Sequence, residues 1–271
     1  MAANTERSYG IYRRVAAEND LDDACETLAT LGYAVLDGGY TPAELDELST
    51  AFDAARSHSD EAAGGREALR KIDEHNTIRV ALHHDRRLLA LATNQRVLTV
   101  VKRAISDYVV LSQQNGIVNP ANAAEYNQGA WHRDLPYQHV VFSRPMAINA
   151  LFCVDDFTLE NGATIVLPAT HKQEDFPSSR FVQSAAIQVT APRGSYILLD
   201  CMTYHTGATN RTPRDRRAVN HVYTSPIIRQ QIDLPALLGE SFTEDQGVRQ
   251  LLGYGVRTPR SLDEYFATRR R

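Results

Sequence analysis

The chain has 271 residues, 43% hydrophobic and 23% charged, with a formal net charge of −4. This is the balance of a soluble globular protein of one large domain, and it excludes a polybasic nucleic-acid binder, a disordered chain and, with no long apolar run, a membrane-spanning one. Three widely spaced cysteines, Cys25, Cys153 and Cys201, without a C-x-x-C pair, argue against a disulfide framework. With no apolar stretch in Met1–Arg7 to act as a secretory signal, a cytoplasmic setting is expected. Along the chain, Leu21, Ala24, Cys25, Leu28 and Leu31 recur at helical spacing up to the stop signal Gly32. Tyr33–Leu36 reads as a short strand. Thr41-Pro42-Ala43-Glu44 reads as a capping box with proline at the first helical position, opening a helix through Leu45, Leu48, Phe52 and Ala55. Ser57–Arg66 is polar and reads as a surface loop, and one helix is expected over about 87–105.

From Tyr108 onward the pattern changes to short strands: Tyr108–Gln114, Met146–Val154, Ala163–Leu167, Ala185–Val189, Ser195–Leu199 and Ala218–Thr224. Pro, Gly, Asn and Asp break them, as in an antiparallel sandwich or barrel, and Asn161-Gly162 is a turn dipeptide between two of them. One domain over 1–271 is expected: a helical part at about 11–106, a β-core at about 107–226, and a lid or packing segment at about 227–271. The Arg269-Arg270-Arg271 tail reads as a solvated terminus.

The chemistry concentrates in Trp131-His132-Arg133-Asp134 and the distant His205. In a strand, residues i and i+2 project from one face, so His132 and Asp134 can bind one side of a cation while His205 arrives from another strand. Two histidines and one carboxylate, with coordination positions left open, suit non-haem Fe(II) and its oxygen chemistry. Downstream come Arg216 and Arg217. A guanidinium binds a carboxylate through two parallel hydrogen bonds, as a dicarboxylic cosubstrate would require. Neighbouring strand residues face opposite ways, so one of the two arginines should point inward, and the spacing from His205 favours Arg216.

His132-x-Asp134, Asn161-Gly162-Ala163-Thr164, Leu167-Pro168-Ala169-Thr170-His171-Lys172 and His205-Thr206-Gly207-Ala208-Thr209-Asn210 followed by Arg216 resemble the phytanoyl-CoA dioxygenase family. The resemblance spans about residues 30–255. It implies a mainly β fold with flanking helices, a double-stranded β-helix of jelly-roll, cupin-like form. It also implies Fe(II), 2-oxoglutarate and O2 as metal, cosubstrate and oxidant. His132, Asp134 and His205 would be the iron ligands. Arg216, helped by Thr164, would anchor the distal carboxylate of 2-oxoglutarate, and Gln114 would donate to its chelating end. The implied reaction is oxidation of an unactivated C–H bond of a small molecule, with release of succinate and CO2. Asp134 argues against a halogenase, where a small residue stands in its place. Arg133, Tyr137, Gln138 and His139 follow or flank the metal pair and are substrate-pocket candidates for a polar metabolite.

Other polar residues carry no ligand signal. His171 is expected to be structural or pocket-forming, His221 is expected to be a satisfied barrel-wall histidine, and the adjacent His83-His84 cannot easily share an ion. Asp155-Asp156 reads as capping or solvation, not as a catalytic carboxylate pair. Two competing readings are a non-catalytic metal- or ligand-binding barrel and a zinc hydrolase using the same ligands. The first leaves the open iron site without a purpose, and the second leaves Arg216 without one.

Overall fold

The computed structural model describes residues 9–11, 15–122, 129–135 and 140–269. Among the described residues nine strands form two sheets: β1 (Tyr33–Asp37), β2 (Thr77–Arg79), β3 (Val110–Asn119), β4 (Ala147–Cys153), β5 (Ile165–Val166), β6 (Ile187–Gln188), β7 (Ser195–Asp200), β8 (His205–Thr206) and β9 (Arg216–Thr224). The main sheet has the order β1-β7-β4-β9-β3-β2 and the minor sheet the order β6-β5-β8, every pairing antiparallel. This is the expected two-sheet architecture, although the ladders among the described residues do not close into a continuous barrel. No helix among them is long and apolar enough to cross a membrane.

Strands β4 and β7 are buried at every position, because both faces of the main sheet are covered. Alternate residues serve two cores. Ile148, Ala150, Phe152, Tyr196 and Leu198 face the helical layer, where Leu28, Phe52, Leu82, Leu91 and Val101 pack. Leu151, Cys153, Ile197, Leu199 and Ala218 face the minor sheet and meet Phe157, Ala163 and Val166. The site described below lies at the open end of this inter-sheet layer.

The helices begin where their caps dictate. Asn19 accepts hydrogen bonds from Leu21 N and Asp22 N to start the helix Asp20–Leu31, and Thr41 and Glu44 form the expected reciprocal capping box of Pro42–Ala62. Two expectations are corrected. Ser57–Ala62 is the last part of that helix and not a loop; its polar composition fits a solvent-facing end, and Gly64 and Gly65, both at positive φ, terminate it. The single helix expected over 87–105 is interrupted, because the Asn94 side chain accepts from Arg96 N and Val97 N and so caps a new helix, Gln95–Ala104. Strand β2, unread in the sequence, adds the sixth strand beside β3.

Candidate metal centre

His205 lies in a two-residue strand held from both sides. Its β8 neighbour Thr206 pairs with Ile165 of β5, and on the other side His132 bridges His205 directly, each donating its backbone N–H to the other's carbonyl at 3.0 Å. Around His132 the chain is not a regular strand, but this bridge sets the two imidazoles side by side, ring centroids 4.3 Å apart and planes tilted by 53°. Asp134 N donates to Cys201 O at 3.0 Å, which ties the other end of the motif to the turn after β7. That turn is anchored in the N-terminal helix: Gly32 O accepts from Asp200 N at 2.9 Å and from Thr203 Oγ1 at 2.8 Å. Gly32 itself sits at φ 79, and a Cβ there would collide with Thr203 and His171.

The ligating atoms of His132, Asp134 and His205 lie within 4.8 Å of one another, and this is the trio of its kind among the described residues. Asp134 Oδ1 stands 3.8 Å from His132 Nε2 and 3.6 Å from His205 Nε2. Each ligand is oriented by its far atom. His132 Nδ1 donates to Ala130 O at 2.8 Å and His205 Nδ1 to Thr203 O at 3.0 Å, so each Nε2 keeps its lone pair free for the centre. Asn149 Nδ2 donates to Asp134 Oδ2 at 2.8 Å, leaving Oδ1 inward. The donor set is thus two neutral imidazole nitrogens and one carboxylate oxygen, which fits a first-row divalent ion. The His132 side chain is 34% exposed against 8% for His205, so the centre opens on the His132 side.

Without a metal ion, the three groups hold one another as a buried carboxylate between two imidazoles. Burial and the neighbouring His205 hold His132 below the ordinary imidazole value. Burial would also depress His205, but the Asp134 carboxylate outweighs it and the pKa is raised. For Asp134, burial is outweighed by His205, His132 and Asn149, and the carboxyl stays below its usual range.

Thr164 and Arg216 line the same cavity as the triad, with Ile117, Leu151 and Leu199 as apolar wall. Arg216 is buried with its guanidinium 4.0 Å over the Phe157 ring. Arg217 turns to the other face, where it binds Asp155 at 2.7 Å and Asp53 at 2.9 Å. Asp155 is therefore an ion-pair partner, and Asp156 accepts from Arg193 N.

Two expected site residues lie elsewhere. Gln114 faces the helical layer: its Oε1 accepts from Leu82 N, and its Nε2 donates to Leu88 O and to His221 Nε2. Alternation counted from the outward Leu111 would turn Gln114 inward, but a bulge between Leu111 and Gln113 reverses the parity. Gln113, Asn115 and Ile117 are the residues of β3 that turn toward the site. Arg133 stands between two residues that face the metal centre and so points away from it. Its guanidinium donates to the carbonyls of Thr170, Gln173 and Glu174 and stacks 3.9 Å over Tyr204, so it braces the loop beside His205. Tyr137, Gln138 and His139 lie outside the described residues. His171 and His221 are both buried; His221 is hydrogen-bonded through both ring nitrogens, and His171 donates from Nε2 to Ala29 O. Asn149 and Asn220 line the cavity and were missed, although a lone asparagine at an inward position of the apolar run Ala147–Cys153 was a usable signal.

A family model described as phytanoyl-CoA dioxygenase matches residues 29–218. The chain belongs to the phytanoyl-CoA dioxygenase family. An uncharacterised protein of Mycobacterium tuberculosis is 30% identical over 263 residues, covering 93% of this chain and 94% of its own. Among solved structures, EctD from S. alaskensis with 2-oxoglutarate and 5-hydroxyectoine superposes with a TM-score of 0.63 at 22% identity, over 76% of this chain and 77% of that one. The epimerase SnoN, in complex with Fe3+, alpha ketoglutarate and nogalamycin RO, gives 0.59 at 17% identity, over 84% and 91%. The fold of this family member is the cupin-like one of 2-oxoglutarate oxygenases, and its His-Asp-His trio is able to bind a metal.

Proposed function

We propose that the protein is an Fe(II)- and 2-oxoglutarate-dependent oxygenase that oxidises an unactivated C–H bond of a small polar metabolite, releasing succinate and CO2. The observation that carries this reading is one cavity lined by a His-Asp-His trio, a buried arginine and a threonine hydroxyl. His132, Asp134 and His205 hold the iron. Bound there with 2-oxoglutarate, Fe(II) supplies O2 activation and hydrogen abstraction. Arg216 holds the distal carboxylate of 2-oxoglutarate through paired charge-assisted hydrogen bonds, and Thr164 donates its hydroxyl to the same group. Ile117, Leu151 and Leu199 keep water from that end.

The polarity of the substrate is supported by the cleft outside the triad. It has a volume of about 510 Å³ and shares Ile117, His132, Asp134 and Asn220 with the inner cavity. Gln113, Asn115, Gln231 and Asn220 line it with carboxamides, each able to donate and accept. Its guanidinium, Arg79, is engaged by Glu74 through contacts of 2.6 and 2.8 Å. Such a wall suits hydroxyl or amide groups better than a long acyl chain or a polyphosphate.

The test is direct. Anaerobic Fe(II) plus 2-oxoglutarate should produce the weak visible charge-transfer band of the chelate, and O2 should then release succinate. Asp134→Ala should abolish both. Band formation without succinate in the presence of O2 and a metabolite panel would leave a binding barrel; full turnover in Asp134→Ala would remove the trio from the reaction.

A further inference from the structure

Strand β4 is buried throughout, and apolar except at Asn149. This residue sits at the centre of the main sheet, paired with Leu199 of β7 and Val222 of β9, on the face that looks into the triad cavity. Its Nδ2 donates to Asp134 Oδ2 at 2.8 Å. That contact fixes the amide orientation, since an amide oxygen would not turn toward a carboxylate. The Oδ1 of Asn149 is consequently left buried without a hydrogen-bond partner among the described residues. A buried amide with an unpaired acceptor costs stability, and an apolar residue would fill a central strand better. The arrangement makes sense as a device serving the carboxylate.

We propose that Asn149 is a positioning residue of the metal centre, holding Asp134 so that one carboxylate oxygen, Oδ1, is offered to the ion. This rests on the reading of the trio as a metal site. Free of that contact, the carboxylate could rotate about its terminal torsion and offer both oxygens, taking up a coordination position that a bidentate cosubstrate needs. Held by Asn149, Oδ2 is occupied and one oxygen remains. The rigidity of the support matters: Asn149 belongs to a strand buried at every position, whereas Asp134 lies in a bend, tied to the turn after β7 by its backbone bond to Cys201. The carboxamide thereby transfers the fixed geometry of the main sheet to a ligand carried on a loop.

A double-mutant cycle on metal affinity tests this. Cu(II), supplied as the metal alone at one equivalent, is the probe, because it binds paired imidazoles most tightly among divalent first-row ions. Asn149→Leu is expected to weaken binding on the order of 10- to 100-fold in the otherwise unchanged protein. In an Asp134→Ala background the same change should have an effect of less than about twofold, because the group it acts through is gone. Unaltered affinity in the first background would overturn the proposal, as would an equal loss in both, which is the signature of a general structural defect. Should Asn149→Leu fail to fold, Asn149→Ser runs the same cycle. A wild-type protein that binds no metal would instead refute the metal reading itself.

Discussion

At the start of β9 two neighbouring arginines face opposite sides of the sheet, and their different surroundings separate two kinds of loss. Arg216 lines the triad cavity, while Arg217 closes a surface ion-pair network with Asp53 and Asp155. A hydrogen bond to a charged partner contributes about 1.5–3 kcal/mol. Arg216→Leu is therefore expected to weaken 2-oxoglutarate binding on the order of ten- to a hundredfold, read by titrating the Fe(II) charge-transfer band. Arg217→Leu should leave that titration alone and lower stability by about 1 kcal/mol, since solvent still reaches and screens these partly buried pairs. If the two variants exchange these phenotypes, the assignment of the inward arginine is wrong. Arg133 teaches a related lesson. The i and i+2 pattern that places His132 and Asp134 on one face already requires the residue between them to turn away.

The element that most tightly couples distant parts of the chain is the end of the helix Asp20–Leu31. Gly32 terminates it in the left-handed region and receives the turn that carries His205. A side chain there would meet both backbone strain and the Thr203 and His171 side chains. Gly32→Ala is expected to cost roughly 2–4 kcal/mol in denaturant unfolding, combining left-handed strain with overpacking. It should also weaken metal binding, because the turn supporting His205 must shift. A variant with the wild-type unfolding midpoint would show that the turn is held by other contacts. Gly162 has the same character at a smaller scale. It lies at φ 80 in the Asn161-Gly162 turn, where a Cβ would press on the backbone oxygen of Ala208.

For the molecule as a whole, pH and metal should both act on stability. His221 is buried in the sheet, donating from Nδ1 to Ala150 O and accepting at Nε2 from Gln114. Burial holds it neutral, its pKa pushed down to about 4 from 6.5. The unfolded chain takes up this proton first as pH falls. Stability from the neutral imidazole is thus complete above about pH 6.5 and declines between there and about pH 4, by about 3 kcal/mol in total. Denaturant unfolding at pH 7.5 and 4.5 should show a smaller loss for His221→Gln than for wild type; equal losses would assign the slope to other groups. Metal acts in the opposite sense. An ion that bridges the His132–Asp134 segment to β8 stabilises only the folded state, by about 2.7 kcal/mol at a hundredfold excess over Kd. At roughly 2–4 °C per kcal/mol, Fe(II) or Co(II) should raise Tm by several degrees and a chelator should reverse it. An unmoved Tm would exclude such a clamp.

What the sequence by itself determined is the part written in local patterns. Caps, turns and apolar periodicity located most strands and the first two helices, and the residue types at 132, 134 and 205 named a donor set whose chemistry depends on the side chains alone. Facing and pairing were decided by tertiary structure. The bulge after Leu111 reversed the parity of β3 and sent Gln114 to the helical layer. The small strand β2 found a place only at the edge of a sheet built by residues far along the chain. Asn149 acquired its duty from a carboxylate on a different segment. Alternation within a strand is a local property, but which face looks inward depends on register against partners distant in sequence, and those pairings are made only when the two sheets close around their common core.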